Sequence, residues 1–414
     1  DISTVELTLR RAAMNDAARA LGDILSAIPE TAPACPRCDG PMRLLARRAK
    51  DIVGLVGVTK FSRGYYECRR CGAHTIPKDE VVGVSRTSFM PSVRAAVATL
   101  ASEAPFEWAS RVLDELTDVH ISGKEVQRIA ENAGFCIENG FQSVRNAILG
   151  GEDPPGNETA KKVEVMTIEM DGTGVPMVRR DIAGRKGKQK DGSSKTREAK
   201  IGCVFTQSAI DFGSKPVRDS GSTSYFGFIE DCHDFGERAY ANAVMRGINA
   251  ARQVVIIGDG AKWIWSIADE QFPQATQILD LYHAKEHVND IAKLLRPACH
   301  KCLADRWCAL LEDGGAEILA KQIRGFPATG GVSEQAETAA GYFKENAARM
   351  RYPEYKAKGY FVGSGVVEAA CKSIVGQRFK QSGMFWSLDG ANAMLALRCD
   401  DLSQGASVRY AIAA

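Results

Sequence analysis

Hydrophobic and polar positions follow two rhythms along this chain of 414 residues. Before about residue 150, apolar residues mostly recur every three or four positions, as on one face of an amphipathic helix. After residue 158, short continuous apolar runs typical of buried strands alternate with helical segments. The stretch GGEDPPGNE at 150–158, rich in Gly, Pro and acids, separates the two parts and predicts a linker. The second part is therefore expected to have an α/β fold.

Two modules open the first part. Residues 1–30 predict a short amphipathic helix from Ala12 to Ile28, which Pro29 ends. Residues 31–85 carry two cysteine pairs and strand-like pieces such as Ile52–Thr59. We expect these pieces to form a small β-rich module.

A third module, residues 86–150, predicts three short helices with tight joints, as in a helix-turn-helix unit. Pro91 and Pro105 open the first two helices, and the capping-box sequence SGKE at 122–125 opens the third. We expect the third helix to stop at Gly134. As the reading helix it would present these side chains to DNA: Lys124, Gln127 and Arg128. Any small helical bundle gives a similar pattern, so a bundle without DNA contact is the alternative.

Two apolar runs of the second part end in the same way. Val163–Met170 leads into Asp171-Gly172, and Val254–Gly258 leads into Asp259-Gly260. Each predicts a buried strand with a carboxylate at its tip and a glycine that permits a sharp turn. Two such carboxylates converge only if the strands are neighbours, and a converging pair repels unless a cation lies between them. The sequence therefore favours a divalent metal site over two separate turn caps.

Glu368 is the candidate third acid. It follows Gly363-Ser364-Gly365, where Ser364 can cap a new helix. A basic side of this helix would hold phosphates, through Lys372, Arg378 and Lys380. The plainer interpretation is a surface pair between Glu368 and Lys372, one helical turn apart.

Asp280 and His283 lie at the start of another predicted helix. Asp at an N-cap, with His three positions later, is an ordinary helix start. The alternative places His283 close to a reacting phosphate or to the third acid's helix, since neutral imidazole can hydrogen-bond there. The sequence leaves both interpretations open.

The strongest short motif is a pair of CxxC knuckles separated by 29 residues. Zinc prefers four tetrahedral thiolate ligands, and this spacing is typical of a zinc ribbon. We therefore predict one structural Zn²⁺ on Cys35, Cys38, Cys68 and Cys71. A further CxxC at Cys299–Cys302, with Cys308 downstream, has no partner pair and predicts ordinary thiols.

Composition and the distribution of charge predict the cellular compartment and the class of substrate. Hydrophobic residues make up 45% and charged residues 25%, and no apolar run is long enough for a membrane span. We therefore expect a cytoplasmic protein without a membrane partner, and its cysteines should be reduced. Net charge is only +2, but residues 35–100 hold 12 Lys/Arg against five acids. Arg179–Lys200 holds nine against three. Basic surface beside carboxylates favours a polyanionic substrate, although solvated loops explain the second stretch equally well.

Four blocks of the second part resemble the ISKra-type insertion-sequence transposases, which belong to the DDE class and are distantly similar to Mutator-type enzymes. The blocks are MDGTGVPM (170–177), VVIIGDGAKWIW (254–265), DLYHAKEHV (280–288) and GSGVVEAACKSIVGQRFKQSGMFWS (363–387). The resemblance extends over the cysteine pairs and the helical unit. It implies an RNase H-like mixed-sheet catalytic domain built from residues 158–283 and 356–414, with an all-helical insertion at 284–355.

The same resemblance implies an activity. Asp171, Asp259 and Glu368 would hold two Mg²⁺ or Mn²⁺ ions about 3.5–4 Å apart, with Asp280 and His283 as accessory residues. The implied reaction is DNA cleavage and strand transfer at insertion-sequence ends. The partners would be double-stranded DNA (terminal inverted repeats and target DNA) and further copies of the chain, as a homodimer or larger synaptic assembly at the nucleoid. The alternatives are an inactive or domesticated DNA-binding protein of the same fold and a metal-dependent structure-specific nuclease.

Overall fold

The structure is a computed structural model that describes residues 1–152, 163–187, 189, 192–209 and 215–403. Most of the predicted linker, the end of the predicted last core segment and part of the basic stretch Arg179–Lys200 therefore lie outside the described residues. The chain divides into two compact units, residues 1–136 and the residues from 137 onwards. No helix in the described ranges combines the length and the apolar character that a membrane crossing requires.

The first unit begins with a long helix and a small sheet. Helix α1 (Ile2–Ala27) starts well before the predicted Ala12, because the Asp1 carboxylate caps it by accepting the Thr4 N–H at 2.9 Å. Strands β1 (Met42–Gly54), β2 (Gly57–Cys68) and β3 (His74–Thr75) form an antiparallel sheet in the order β1-β2-β3. The β-rich module predicted after residue 31 is thus a hairpin extended by one short strand.

Four helices follow: α2 (Pro77–Val81), α3 (Pro91–Glu103), α4 (Phe106–Thr117) and α5 (Gly123–Leu149). The expected stop of the third predicted helix at Gly134 is wrong, since α5 continues to Leu149. A glycine inside a helix costs only about 1 kcal/mol relative to alanine. Burial of Ile137 and Ile148 further along α5 outweighs that cost.

The second unit is built on a mixed sheet of five strands in the order β6-β5-β4-β7-β8. The strands are β4 (Val163–Pro176), β5 (Thr196–Gln207), β6 (Ser224–Phe228), β7 (Ala251–Gly258) and β8 (Thr276–Leu279). β4 is parallel to β7, and β7 to β8, whereas β4–β5 and β5–β6 are antiparallel. The expected α/β class is confirmed in this form.

Contrary to the prediction from the sequence, strand β4 does not end at Asp171. It continues through Asp171 and Gly172 to Pro176, with Asp171 opposite Ile201 and Gly172 opposite Lys200. The reason is that β5 is long enough to satisfy the backbone of this extension. Gly172 is therefore a strand residue and not a turn.

Helices cover the sheet and fill the predicted helical segment. Short α6 (Arg179–Ile182) follows β4, α7 (Cys232–Met245) precedes β7, and α8 (Lys262–Gln271) follows it. The helical segment contains α9 (Leu281–Leu295), α10 (His300–Glu312), α11 (Ala316–Arg324), α12 (Gly331–Glu345) and α13 (Tyr352–Ala357). Their apolar faces share one buried cluster with β4, β7 and β8.

The last described elements are α14 (Gly365–Ala370), a π-helical turn (Cys371–Gly376), α15 (Gln377–Phe379) and α16 (Leu388–Leu402). The apolar run Tyr360–Val362 could suit a strand, but this segment is irregular. Its apolar side chains serve packing instead: Tyr360 is buried, and the Phe361 ring meets Phe205 edge-on at 5.4 Å. An apolar run of this length fits either role.

Candidate active site

Asp171 and Asp259 lie side by side at one edge of the β4–β7 pair. Met170 and Gly258 are register partners in these parallel strands, so the two aspartates are the next residue on each. Beyond this point β4 continues, whereas β7 ends and the chain turns at Gly260, whose φ is +103°. The two carboxylates therefore arise where the neighbouring strands separate.

Asp171 is partly buried, and the charge of the neighbouring Asp259 affects its pKa. Its Oδ1 accepts the Gly172 N–H at 2.6 Å, and the thiol of Cys371 donates to the same carboxylate. Burial raises the pKa of Asp171, and the negative charge of Asp259 raises it further, against the lowering effects of these hydrogen bonds and of His283. A cation between the two aspartates would relieve this repulsion, and hard carboxylate oxygens suit Mg²⁺ or Mn²⁺.

Asp259 is fixed by the turn that follows it. Its Oδ1 accepts the Ala261 N–H at 2.9 Å, and its carbonyl oxygen lies 3.4 Å from the donating hydroxyl of Tyr342 in α12. A Cβ atom on Gly260 would lie 3.1 Å from both Leu279 and Tyr342. The turn is therefore closely packed, and the helical segment contributes directly to its shape.

Glu368 projects from the first turn of α14 and is exposed. The predicted helix cap by Ser364 is wrong, because the Ser364 hydroxyl makes no capping bond to α14 and instead donates to Asp280 Oδ2 at 2.6 Å. The backbone N–H of Ser364 donates to the same oxygen. Oε1 of Glu368 lies 3.5 Å from the Ser364 hydroxyl oxygen. The start of the Glu368 helix is thus held by Asp280.

Asp280 is fully buried, and both oxygens of its carboxylate accept hydrogen bonds. Oδ1 accepts the His283 N–H at 2.8 Å, as an N-cap does, while Oδ2 serves Ser364. Its own N–H donates to the carbonyl of Gly258 at 2.8 Å. Asp280 therefore connects β7 to α9 and to the start of α14, and acts as a brace between them.

Glu169 is a site residue that the sequence analysis missed. It is fully buried on β4, its Oε2 accepts the N–H of Val367 at 2.8 Å, and the backbone N–H of Val366 also lowers the pKa of this carboxyl group. Burial raises the pKa of Glu169 to about 8. The available signal was its position two residues before Asp171, which places both acids on the same face of the sheet. A continuous apolar run concealed this alternation.

Four thiols of the first unit form a compact cluster. The sulfur atoms of Cys35 and Cys71 are 3.5 Å apart, as are those of Cys38 and Cys68, and all four lie within 4.8 Å of one another. Tetrahedral zinc with bonds of about 2.3 Å separates its sulfur ligands by about 3.8 Å. The backbone N–H of Cys71 is the main cause that lowers the pKa of Cys68, whereas at Cys38 the lowering effect of the Gly40 N–H is outweighed by burial and the neighbouring thiols, which raise the pKa. The cluster therefore fits a tetrahedral metal ion.

The protein family described as “Uncharacterised protein family (UPF0236)” matches residues 17–410. The chain belongs to the UPF0236 family. No curated protein matches it. Among solved structures, the chain is similar to the “Drosophila P element transposase strand transfer complex”, with 8% identity, a TM-score of 0.36, and coverage of 79% of this chain and 95% of that one. A likeness at this level carries no argument about activity, and the ISKra-type resemblance stays a prediction.

In this UPF0236 chain two histidines stand beside the acids. Nε2 of His283 and Nε2 of His287 are 3.1 Å apart, one turn from each other on α9. The His287 ring also contacts that of Tyr342, with 4.6 Å between centroids. Burial and the neighbouring His283 lower the pKa of His287. The sequence analysis assigned no role to His287, although its i,i+4 spacing from His283 predicted the contact.

Arg378 does not belong to the expected basic surface. It is fully buried, with its guanidinium 4.9 Å from the Trp386 ring centroid and Nη1 3.6 Å from Met384 Sδ. The π-helical turn before it changes the angular phase of the helix, which α-helical spacing could not predict. Lys372 and Lys380 are exposed as expected, and Lys380 Nζ donates to the Thr173 hydroxyl at 2.8 Å.

The three residues expected to read DNA lie on the first turns of α5. Lys124 and Arg128 are exposed, and Gln127 is partly so. Arg128 Nε donates to Glu125 at 2.9 Å, and Gln127 donates to Glu131 at 2.8 Å. Two of the three therefore have partners on their own helix, which any DNA contact would have to share or replace.

A second group of possible metal ligands lies on α7: His233, Asp234 and Glu237, with ligand atoms within 4.8 Å of one another. His233 and Asp234 are exposed, and His233 lies 3.9 Å from Glu237 and 3.6 Å from Glu270. Exposed ion pairs account for this group.

Proposed function

We propose that the chain is a DDE transposase, which cleaves DNA at insertion-sequence ends and joins the freed 3′ ends to target DNA. The observation that carries the proposal is the paired position of Asp171 and Asp259 on neighbouring strands, with the helix of Glu368 held close to both strands. Glu169 supplies the brace on β4, and Asp280 supplies the brace next to β7.

The sheet supports an RNase H-like interpretation. Its first three strands are consecutive antiparallel neighbours, and β7 and β8 then add in parallel on the other side of β4. We assign the catalytic core to residues 158–283 and 356–414, with the helical segment 284–355 as an insertion. Tyr342 of this insertion donates to the backbone of Asp259, which supports a shared role.

In the proposed reaction, two Mg²⁺ or Mn²⁺ ions on the three acids would supply Lewis-acid activation of the attacking oxygen and stabilisation of the leaving oxygen. The protein's own residues would position the DNA. Exposed Lys372 and Lys380, near the end of α14 and beside β4, carry the charge needed to hold phosphates. His283 lies close enough to lower the pKa of Asp171, and its Nε2, now 3.1 Å from Nε2 of His287, could hydrogen-bond a phosphate oxygen instead.

The remaining parts of the proposal concern recognition and assembly. We assign one structural Zn²⁺ to the four-cysteine cluster, which as a closed site would stabilise the first unit and take no part in catalysis. The hairpin and the α3–α5 helices would contact element ends, with Lys124, Gln127 and Arg128 foremost. Joining two ends requires two active sites, so we propose a homodimer or larger assembly on cytoplasmic, nucleoid-associated DNA.

The test is to incubate the full chain and Mg²⁺ with DNA that contains its own flanking element ends, and to map cut and joined strands. Asp259→Asn removes one carboxylate charge from the metal ligands, so we expect cleavage to fall by about 100-fold or more while DNA binding changes little. Asp305→Asn makes the same change at an exposed position of α10 and should keep full activity.

Two other results would favour the two alternative functions. Specific end binding without Mg²⁺-dependent cleavage in the wild type would indicate an inactive or domesticated DNA-binding protein. Cleavage without joining of 3′ ends would indicate a structure-specific nuclease. Full cleavage by Asp259→Asn would contradict the assignment of the acids.

A further inference from the structure

The first unit contains a cavity of about 610 Å³ between the loop that joins α2 to α3 and one face of α5. Arg86 lines it from this loop, Arg94 from the first turn of α3, and Arg128 from α5. Its neutral polar lining consists of Ser85, Thr87 and Asn132. Exposed Glu80 is the one carboxylate among the lining residues. Among the charged lining residues, arginines therefore outnumber the carboxylate.

Two of the three arginines have no acidic partner in the part of the chain that the structure describes. Arg128 is different, because Glu125 neutralises it. Arg94 is partly buried; its Nη2 donates to the Gly83 carbonyl at 2.7 Å, and its buried Nε has no acceptor. Arg86 is exposed and lies in the left-handed region, with φ +57°. Both charges are thus available to a ligand.

A partly buried guanidinium without an anion is costly. Burial lowers the pKa of Arg94, and the neighbouring Cys136 thiol offsets this only in part, as expected for a cation that loses hydration without a carboxylate partner. A bound anion would restore that balance. Guanidinium groups match phosphate oxygens in geometry, through paired N–H donors. The chemistry of the cavity therefore favours a phosphate.

The surroundings favour the phosphate of a nucleic acid over a free ion. Arg128 and Asn132 are one turn apart on α5 and both line the cavity. The same first turns of α5 present Lys124 to solvent. A volume of about 610 Å³ lies within the range of sites that hold whole organic ligands, so it has room for a phosphodiester with its adjoining sugars.

We propose that this cavity binds a backbone phosphate of duplex DNA, with Arg86 and Arg94 as its anchoring cations. The contact would fix the register of α5 on the DNA without reading sequence. The inference rests on the proposed function for the identity of its ligand, but not on the metal site of the second unit.

The experiment measures the affinity of the full chain for a short fluorescent DNA duplex of random sequence, without added Mg²⁺, over a series of NaCl concentrations. Each phosphate contact contributes about 0.9 to the slope of log K against log salt concentration. We expect Arg86→Gln and Arg94→Gln each to reduce the slope by up to about that amount, and the double variant by more. Arg19→Gln removes the same charge from an exposed position on α1, outside the cavity, and should leave the slope unchanged.

Two comparisons test whether the variants still fold. Arg94→Gln loses the bond to Gly83, so its thermal unfolding is compared with that of Arg94→Lys, which keeps a cation and should retain part of the slope. Arg86 makes no hydrogen bond or ion pair within the described ranges, so Arg86→Gln should fold as the wild type does. An unchanged slope in Arg86→Gln and in the double variant overturns the proposal.

Inorganic phosphate separates the two sources of the anion. If phosphate raises the unfolding temperature of the wild type but not of Arg94→Gln, while DNA binding is the same in both, the cavity holds a free anion and the DNA assignment is wrong. Because binding is measured without metal, failure of DNA cleavage would leave this result intact. Conversely, an unchanged slope alongside normal cleavage would refute this inference alone.

Discussion

Glu169 lies two positions before Asp171 on β4, and its carboxylate faces the first turn of α14. The N–H groups in the first turn of a helix have no acceptor within the helix, so a side-chain oxygen can accept hydrogen bonds from them. Oε2 accepts one of these N–H groups, that of Val367, whereas Oε1 has no hydrogen-bond partner among the described residues. This buried acid therefore supports the helix that carries Glu368, and its raised pKa favours the neutral carboxyl form.

Replacement of Glu169 tests this positioning role. Glu169→Ala removes the acceptor for Val367 N–H, and we expect the rate of Mg²⁺-dependent cleavage to fall by about 10–100-fold, with a higher Mg²⁺ concentration at half-maximal rate. DNA affinity should change little. Glu169→Gln keeps an acceptor oxygen of similar size and should recover most of the rate.

The comparison of Glu169→Ala with Glu169→Gln also shows which results would contradict a positioning role for Glu169. If Gln and Ala reduce the rate equally, at equal unfolding temperatures, then the charge of Glu169 is required and it acts as a metal ligand. If neither variant changes the rate or the Mg²⁺ dependence, then Asp280 alone holds the start of α14.

At the scale of elements, the turn from β7 to α8 determines the direction of Asp259. Gly260 has a φ that side-chain-bearing residues rarely adopt, and a Cβ there would meet Leu279 and Tyr342. We expect Gly260→Ala to destabilise the protein by about 1–3 kcal/mol and to lower cleavage activity. Gly341→Ala, in the interior of α12 with no atom within 4 Å of the added Cβ, should be neutral or stabilising by up to about 1 kcal/mol.

Thermal unfolding of both variants checks this expectation. The unfolding temperature should fall by roughly 2–4 °C per kcal/mol for a unit of this size. Equal unfolding temperatures for Gly260→Ala and the wild type would show that the turn tolerates another conformation.

The sequence predicted the elements whose cause is local. The turn at Gly260 follows from a short-range signal and is present, whereas the helix at Gly365 begins without the Ser364 cap that the sequence predicted. The extension of β4 beyond Asp171 depends on β5, a partner about 30 residues away, so no local pattern could predict it. The inward position of Arg378 depends on a π-helical turn, for which sequence has no periodic signal.

At the scale of the whole molecule, the two units differ in what stabilises them. The second unit has one large buried cluster that extends over the sheet and the helical segment. Around the hairpin of the first unit the buried clusters are small, one with Cys35, Met42, Tyr66 and Cys68 and one with Ile52, Phe61, Val84 and Met90. Cores of this size usually need a metal or another cross-link.

We therefore expect about one zinc per chain by elemental analysis, and loss of the hairpin's protection from proteolysis when a chelator removes it. Cys68→Ser should have the same effect, because three remaining thiols bind zinc more weakly. Cys302→Ser, at an exposed position outside the cluster, should keep the zinc. Natively purified protein without zinc but with a protease-resistant hairpin would contradict the assignment.

The third acid comes late in the chain, since Glu368 follows Asp171 and Asp259 by a long interval. A product that ends before α14 would keep the whole first unit but lack both Glu368 and its helix. On the proposed function, such a fragment would occupy element ends without cutting them and would compete with intact chains. Premature termination would then lower transposition frequency in proportion to the fragment's dosage, and the gene would encode its own inhibitor.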